Sequence, residues 1–308
     1  MRKILISVLL ISVLIISACS NQTTIKETAL TPEVTKPTTI TYQSENGPIE
    51  VPAEPKRVVV LSSFVSGHVM ALNVNIVGVD VWAKTNPRYE QYIKDTMEIS
   101  DESLEKIIEL EPDLIIAASN TNNLDKLSKI APTVSYTYGK VDYLTQFLEI
   151  GKLLNKEAEA QAWIADFKAR AQKAGEEVKA KIGADATISV IESFKKQLYV
   201  FGDNWGRGTE IIYQEMKLKM PEKVKEMALK DGYYAISAEV FPEYAGDYVI
   251  FSKDPGADNS FQETDTYKNI PAVKNNHVFE ANAKEFYFND PITLDYQLEF
   301  FKKSLLGN

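Results

Sequence analysis

The period of apolar and polar positions changes along the chain. Short apolar runs fall at Val58–Leu61, Ile76–Val81, Leu114–Ala118 and Thr133–Tyr138, then again at Ile188–Glu192, Leu198–Phe201, Tyr248–Ser252 and His277–Glu280. Each has the length of a strand, and the stretches between them carry a helical period. This alternation predicts an α/β fold with mainly parallel strands, and two comparable sets of strands predict two comparable lobes. Between the sets, residues 157–182 place Ala160, Trp163, Ile164, Phe167, Ala171, Ala174, Val178 and Ile182 on one helical face. These 26 residues at ~1.5 Å rise would run ~39 Å, enough to pass from one lobe to the other. Lobes on a single long helix should be stiff, whereas a hinge of flexible strands would permit wide closure, so limited closure is expected.

The two ends of the pattern differ from its body. Residues 1–18, MRKILISVLLISVLIISA, set two positive charges before a Leu- and Ile-rich core and small residues before Cys19. This is a secretory signal, and Ile16-Ser17-Ala18-Cys19 resembles a lipobox, with Cys19 as the lipidated first residue after cleavage. An uncleaved anchor helix is the alternative reading. Residues 19–41 are Thr-, Pro- and Lys-rich without sustained periodicity and read as a flexible tether. Folded structure is expected to begin near Tyr42, with a hairpin around Asn46-Gly47, giving lobes over 42–156 and 183–308.

Composition narrows the function. Of the 308 residues, 44% are hydrophobic and 25% charged, which suits a globular protein of two lobes. One cysteine excludes an internal disulfide framework, and two histidines, His68 and His277, cannot build a typical zinc site. The formal charge of −9 becomes −11 when cleavage removes Arg2 and Lys3, which argues against nucleic acid as a partner.

The stretch with the most chemistry is YVFGDNWGRGTEIIY, Tyr199 to Tyr213. Trp205 and Arg207 stand between Gly202, Gly206 and Gly208, so an aromatic plane and a guanidinium fork meet on a backbone free to turn. That suits a pocket for a bulky, oxygen-rich ligand. The same stretch also reads as a tight turn with Trp205 in the core and Arg207 in solvent. An internal echo adds to the two-lobe reading. Glu105 precedes Asp113 by eight residues in LEKIIELEPDLII, and Glu239 precedes Asp247 by eight in AEVFPEYAGDYVI. Each acid reads as lying on a short helix that leads through an Asp into an apolar strand, and equivalent placement would put both on one outer surface, although any α/β chain contains glutamates before strands.

The lipobox, PKRVVVL, EKIIELEPDLII, the long helix, FGDNWGRG, AGDYVIF and YFNDPITLD together resemble the substrate-binding lipoproteins of iron-siderophore ABC importers, in particular the ferric-hydroxamate binders of the FhuD and YxeB type. The resemblance covers about residues 42–306. It implies two Rossmann-like lobes on one helix, of the class III periplasmic-binding-protein type, with the ligand in the cleft between them. It implies Tyr199, Trp205, Arg207 and Tyr287 as the second lobe's ligand contacts, where close relatives carry Trp at the position of Tyr287. Tyr138, Trp82 and Phe64 are candidates from the first lobe. Glu105 and Glu239 match the two acids that dock on arginines of the permease, and Cys19 is the palmitate-bearing anchor and the chain's one link to the membrane. The protein would act as a monomer without an intrinsic cofactor, its iron held by the siderophore.

A tris-hydroxamate of ferric iron is near neutral and needs aromatic contact and one or two donors, which Arg207 could supply. A tris-catecholate carries about three net negative charges and would call for several cations. Lys84 and Arg88 could supply these, keeping a mixed citrate-hydroxamate ligand open, or could be solvated helix-end residues. A haem or vitamin B12 carrier of the same fold is the alternative, with Tyr or His as a haem ligand. A hydrolase would have to use Ser62, Ser63 or Ser66 with His68, and no G-x-S-x-G elbow is present.

Overall fold

The computed structural model describes residues 38–307. The leader, Cys19 and the tether up to residue 37 lie outside the described residues. Strand β1 (Thr39–Ser44) turns at Glu45-Asn46 and returns as β2 (Gly47–Pro52). The tether therefore ends before Thr41, because Thr39, Ile40 and Thr41 already pair with Pro52, Val51 and Glu50.

The first lobe follows as β3 (Val58–Leu61), α1 (Ser63–Ala71), β4 (Ile76–Asp80), β5 (Met97–Ile99), α2 (Leu104–Glu109), β6 (Leu114–Ala118), β7 (Thr133–Tyr136) and α3 (Tyr143–Leu153). Its sheet runs β5-β4-β3-β6-β7 with every pair parallel. Helices cover both faces, so β3 and β6 bury nearly every side chain and read as unbroken apolar runs. Order reverses at β3, which opens a crevice at the C-terminal ends of the strands. The apolar pattern missed β5, whose three residues include exposed Met97 and Glu98.

The second lobe holds β8 (Ile188–Phe194), β9 (Gln197–Phe201), β10 (Tyr233–Ile236), β11 (Tyr248–Lys253) and β12 (Val278–Asn282), in the order β10-β9-β8-β11-β12. Here β8, β11 and β12 are parallel, but β9 runs against both β8 and β10. The reason is local: only Lys195-Lys196 separates β8 from β9, with Lys195 at φ +56°, too short for a parallel crossover. Strand β10 was not expected, since Tyr233, Tyr234 and Ala235 are all exposed.

Helix α4 (Glu157–Ile182) joins the lobes. Its Ala160 packs in the first lobe's core, Phe167, Ala171, Ala174 and Val178 in the second's, and Trp163 and Ile164 touch both. Helix α5 (Pro291–Leu306) lies along it, held where Trp163 Nε1 and Arg170 Nη2 donate to Asp295 at 3.2 and 2.7 Å. The joint is thus more than the single helix expected. Before α5 the chain returns to the first lobe, burying Ala283, Tyr287 and Phe288 in its core. Asp290 then caps α5, accepts from the Tyr89 hydroxyl, and lies where a Cβ on Gly67 of α1 would be.

Gly175 of α4 sits directly against the Met216 backbone, leaving no room for a Cβ. Gly175→Ala should therefore cost about 1–3 kcal/mol through overpacking, in spite of alanine's better helix propensity. Thermal unfolding checks this, and an unchanged or higher Tm would contradict the close seating of α4.

Candidate ligand-binding site

After β9 the chain makes a left-handed turn in which Gly206, Arg207 and Gly208 have φ of +71°, +59° and +80°. Glycine is required on both sides. A Cβ at 206 would run into the Tyr287 carbonyl, and one at 208 into the Phe301 ring. Arg207 accepts the strained conformation itself, and its N–H donates to the Phe286 carbonyl at 2.8 Å. The turn is therefore docked on the segment leading to α5.

Arg207, offered by the sequence as a ligand donor or a solvated turn residue, is already engaged within the protein. Its Nε donates to Glu192 Oε2 at 3.1 Å and its Nη2 to Glu192 Oε1 at 2.9 Å. Glu192, the fifth residue of β8, is 1% exposed and also accepts from Ser252 Oγ at 2.7 Å. Nη1 reaches the Trp205 carbonyl at 3.2 Å. A guanidinium has five N–H groups, so two have no partner among the described residues. The Phe201 and Tyr287 rings lie 4.8 and 5.0 Å from the guanidinium carbon. Burial works against the charge, but Glu192 outweighs it and raises the Arg207 pKa further above its usual value. Burial, reinforced by Glu192, likewise keeps the Tyr287 phenol neutral.

The six aromatic residues among the seven expected ligand contacts belong to one network of rings that crosses between the lobes. Tyr138, just beyond β7, meets Trp205 of the second lobe edge-on at 5.3 Å and Phe64 at 4.6 Å. Phe64 continues to Phe288 at 6.0 Å, and Phe288 to Tyr287 at 6.3 Å. Trp82 meets Tyr287 at 6.0 Å and Phe194 at 6.4 Å. On the other side Trp205 contacts Tyr233 at 5.1 Å, which links it to Tyr199 at 5.8 Å. Phe64, Trp82 and Tyr138 are 44%, 47% and 41% exposed, so they present open ring faces.

Beside Tyr138 lies a cavity of about 870 Å³, within the range of small-molecule sites. The ends of β3, β6 and β7 contribute Ser62, Asn120 and Tyr138, and the second lobe contributes Asn204, Glu210 and Asn289. Glu210 is buried, which raises its pKa against the opposing donors Gly206 N and Asn289 Nδ2, both at 2.9 Å. His68 also lines the cavity, 1% exposed and stacked on Phe147 at 5.7 Å. The serine beside it is engaged elsewhere, Ser66 Oγ donating to the Ser62 carbonyl at 2.9 Å.

The remaining expected residues sort clearly. Arg88 is ion-paired with Glu285 and lies 3.9 Å over the Tyr296 ring, so its charge is already matched. Lys84 borders a separate surface hollow with Asn86 and Pro87. Glu105 is exposed in the first turn of α2. Glu239 is exposed in the turn before the short helix Phe241–Tyr244, not on that helix as expected, and a bond from Ser237 lowers its pKa. The echo has a structural counterpart: Asp113 accepts from Lys56 N and Arg57 N at 2.6 and 2.9 Å, just before β3, and Asp247 from Thr187 N at 2.8 Å, just before β8. Sequence reasoning missed Glu192, Tyr233, Phe288 and Phe194. Only Glu192 left a signal, a carboxylate closing the apolar run ISVIE.

Residues 58–285 match the periplasmic binding protein family. The chain is 38% identical over 296 residues to the iron(3+)-hydroxamate-binding protein FhuD of Bacillus subtilis, covering 94% of this chain and 93% of that protein. The solved structure of FhuD2 from Staphylococcus aureus with bound ferrioxamine B superposes with a TM-score of 0.78 at 34% identity, covering 82% of this chain and 99% of that one. A FhuD-fold protein of Bacillus subtilis, described as a periplasmic binding protein component of a Fep/Fec-like ferrichrome ABC transporter, gives a TM-score of 0.77 at 38% identity over 86% of this chain and 99% of its own.

Burial pushes the His68 pKa from its usual 6.5 down to about 3. The unfolded chain therefore binds the extra proton first, and the stability conferred by neutral His68 is complete above about pH 6.5 and lost as pH falls toward 3. His68→Leu should remove that loss, so the parent's stability should fall against the variant's by up to about 1.4 kcal/mol per pH unit between pH 6 and pH 4. Denaturant melts across that window check it; parallel curves would contradict the neutral, buried histidine.

Proposed function

The chain belongs to the periplasmic binding protein family, and from that premise we propose that it is the extracytoplasmic binding protein of an ABC importer for ferric siderophores, with hydroxamate complexes as its first ligands. The observation that carries this reading is the aromatic network across the cleft around one charge-balanced guanidinium. Ring faces give a bulky, near-neutral complex its contact area. The two unused N–H groups of Arg207 give a pair of charge-assisted bonds to hydroxamate oxygens. Iron stays within the siderophore, and the protein supplies shape and donors. The relatives match this chemistry: the FhuD protein of Bacillus subtilis is an iron(3+)-hydroxamate-binding protein, and FhuD2 of Staphylococcus aureus holds ferrioxamine B.

Delivery rests on other residues. Glu105 and Glu239 are exposed, and each opens a connection that leaves the cleft-facing end of its sheet. That supports a role as paired docking acids for the two halves of a permease, where rim charges steer encounter and fix register. Cys19 would hold the protein at the membrane by its lipid. The chain works as a monomer in this reading.

Trp205→Ala and Tyr138→Ala should each weaken ferrichrome and ferrioxamine B binding by about 1–3 kcal/mol, the range for a buried aromatic contact, with Tyr199→Ala doing less. Arg207→Ala is a poorer probe, because it leaves Glu192 buried without its partner. Quenching of intrinsic fluorescence measures this; unchanged affinity in both folded variants would place the ligand elsewhere. Tight binding of haem alone, read by absorbance, would favour the haem-carrier reading.

Replacing Glu105 and Glu239 together with alanine should leave affinity in solution intact but reduce iron uptake by cells more than either change alone. Normal import by the double variant would sink the docking role while sparing the ligand site.

A further inference from the structure

We propose that Glu192 sets the charge selectivity of the cleft: by holding Arg207 in a balanced pair, it admits uncharged ferric complexes and turns away anionic ones such as catecholates and citrates. This rests on the ferric-siderophore reading above and assigns a role to a residue that touches Arg207, not the ligand.

A solitary guanidinium in an aromatic slot would favour the most negative complex that fits, since its field is weakly screened away from water. Here the guanidinium is matched at two oxygens by a carboxylate that is 1% exposed. Two further cations around the cleft are matched too, Lys140 by Glu45 at 3.1 Å and Arg88 by Glu285. The cavity wall adds Asp142, Asp203 and Glu210 against Lys140 and Lys217. The whole chain carries a formal −9, which repels an anion during approach as well. An uncharged complex loses nothing to any of these groups and still finds two N–H donors on Arg207.

Glu192→Gln is the discriminating change. It keeps the shape, and its amide oxygen can still accept from Arg207. With the amide oxygen accepting from Arg207 Nη2, the amide nitrogen would face Ser252, whose hydroxyl can rotate to accept, and would give up the bond from Arg207 Nε. What is lost is the charge and that one bond, leaving Arg207 with an unbalanced positive charge behind the rings.

The test is fluorescence titration of the parent, Glu192→Gln and the double variant Glu192→Gln/Arg207→Gln with ferrichrome, which is uncharged, and with a ferric tris-catecholate. The parent should prefer ferrichrome. Glu192→Gln should bind the catecholate about tenfold or more tightly than the parent does at low ionic strength, with the gain shrinking as salt rises, while ferrichrome affinity falls. The double variant, uncharged like the parent's pair, should reject the catecholate again, and this outcome can be read even if the single variant fails to fold. No gain for the catecholate in Glu192→Gln, or an equal gain in the double variant, overturns the proposal. A parent that binds both complexes equally overturns it alone; a parent that binds neither overturns the ferric-siderophore reading beneath it.

Discussion

A guanidinium and a carboxylate buried together are costly unless each satisfies the other, and the second lobe is arranged around keeping Arg207 and Glu192 in register. Glu192 comes from β8 and the hydroxyl that supports it from β11. Arg207 is brought across by three successive residues of positive φ. The backbone it rests on belongs to the segment before α5. Elements far apart in the chain therefore converge on one ion pair. Tyr287 covers it and packs with the first lobe's core, so the floor of the cleft and the joint between the lobes share side chains.

Much of this was legible in the sequence, and the limits have physical causes. The buried strands and α4 were visible because covering a sheet on both faces, or laying one helix on two cores, leaves an apolar signature. The glycines of GDNWGRG marked a turn that only small residues permit. Short, exposed β5 and β10 left no such signature. The partner of Arg207 could not be read either, since Glu192 lies 15 residues away in sequence and meets it through an antiparallel hairpin that the apolar pattern had suggested was parallel. Phe288 and Tyr233 escaped for a related reason: their place in the ring network depends on the fold, not on a motif.

The echo shows where sequence and structure agree most usefully. Spacing paired Glu105 with Asp113 and Glu239 with Asp247. In the fold the two aspartates do equivalent work, each anchoring the backbone just ahead of a central strand. The glutamates differ in setting, one on a helix and one in a turn, although both face solvent.

The return of the chain to the first lobe before α5 has a consequence for transport. A wide swing of the lobes would have to pull Asp290 off Tyr89, lift it from Gly67, and expose Phe288 from its stack on Tyr89. On the transport reading proposed above, a carrier tied in this way would offer its importer nearly the same outer face whether empty or full. Empty copies would then compete with loaded ones for the same berth, and the importer would recognise cargo by the siderophore surface left uncovered at the mouth. The traffic of iron would then depend on the ratio of loaded to empty carriers at the membrane, which the free siderophore and the affinity of the cleft set together.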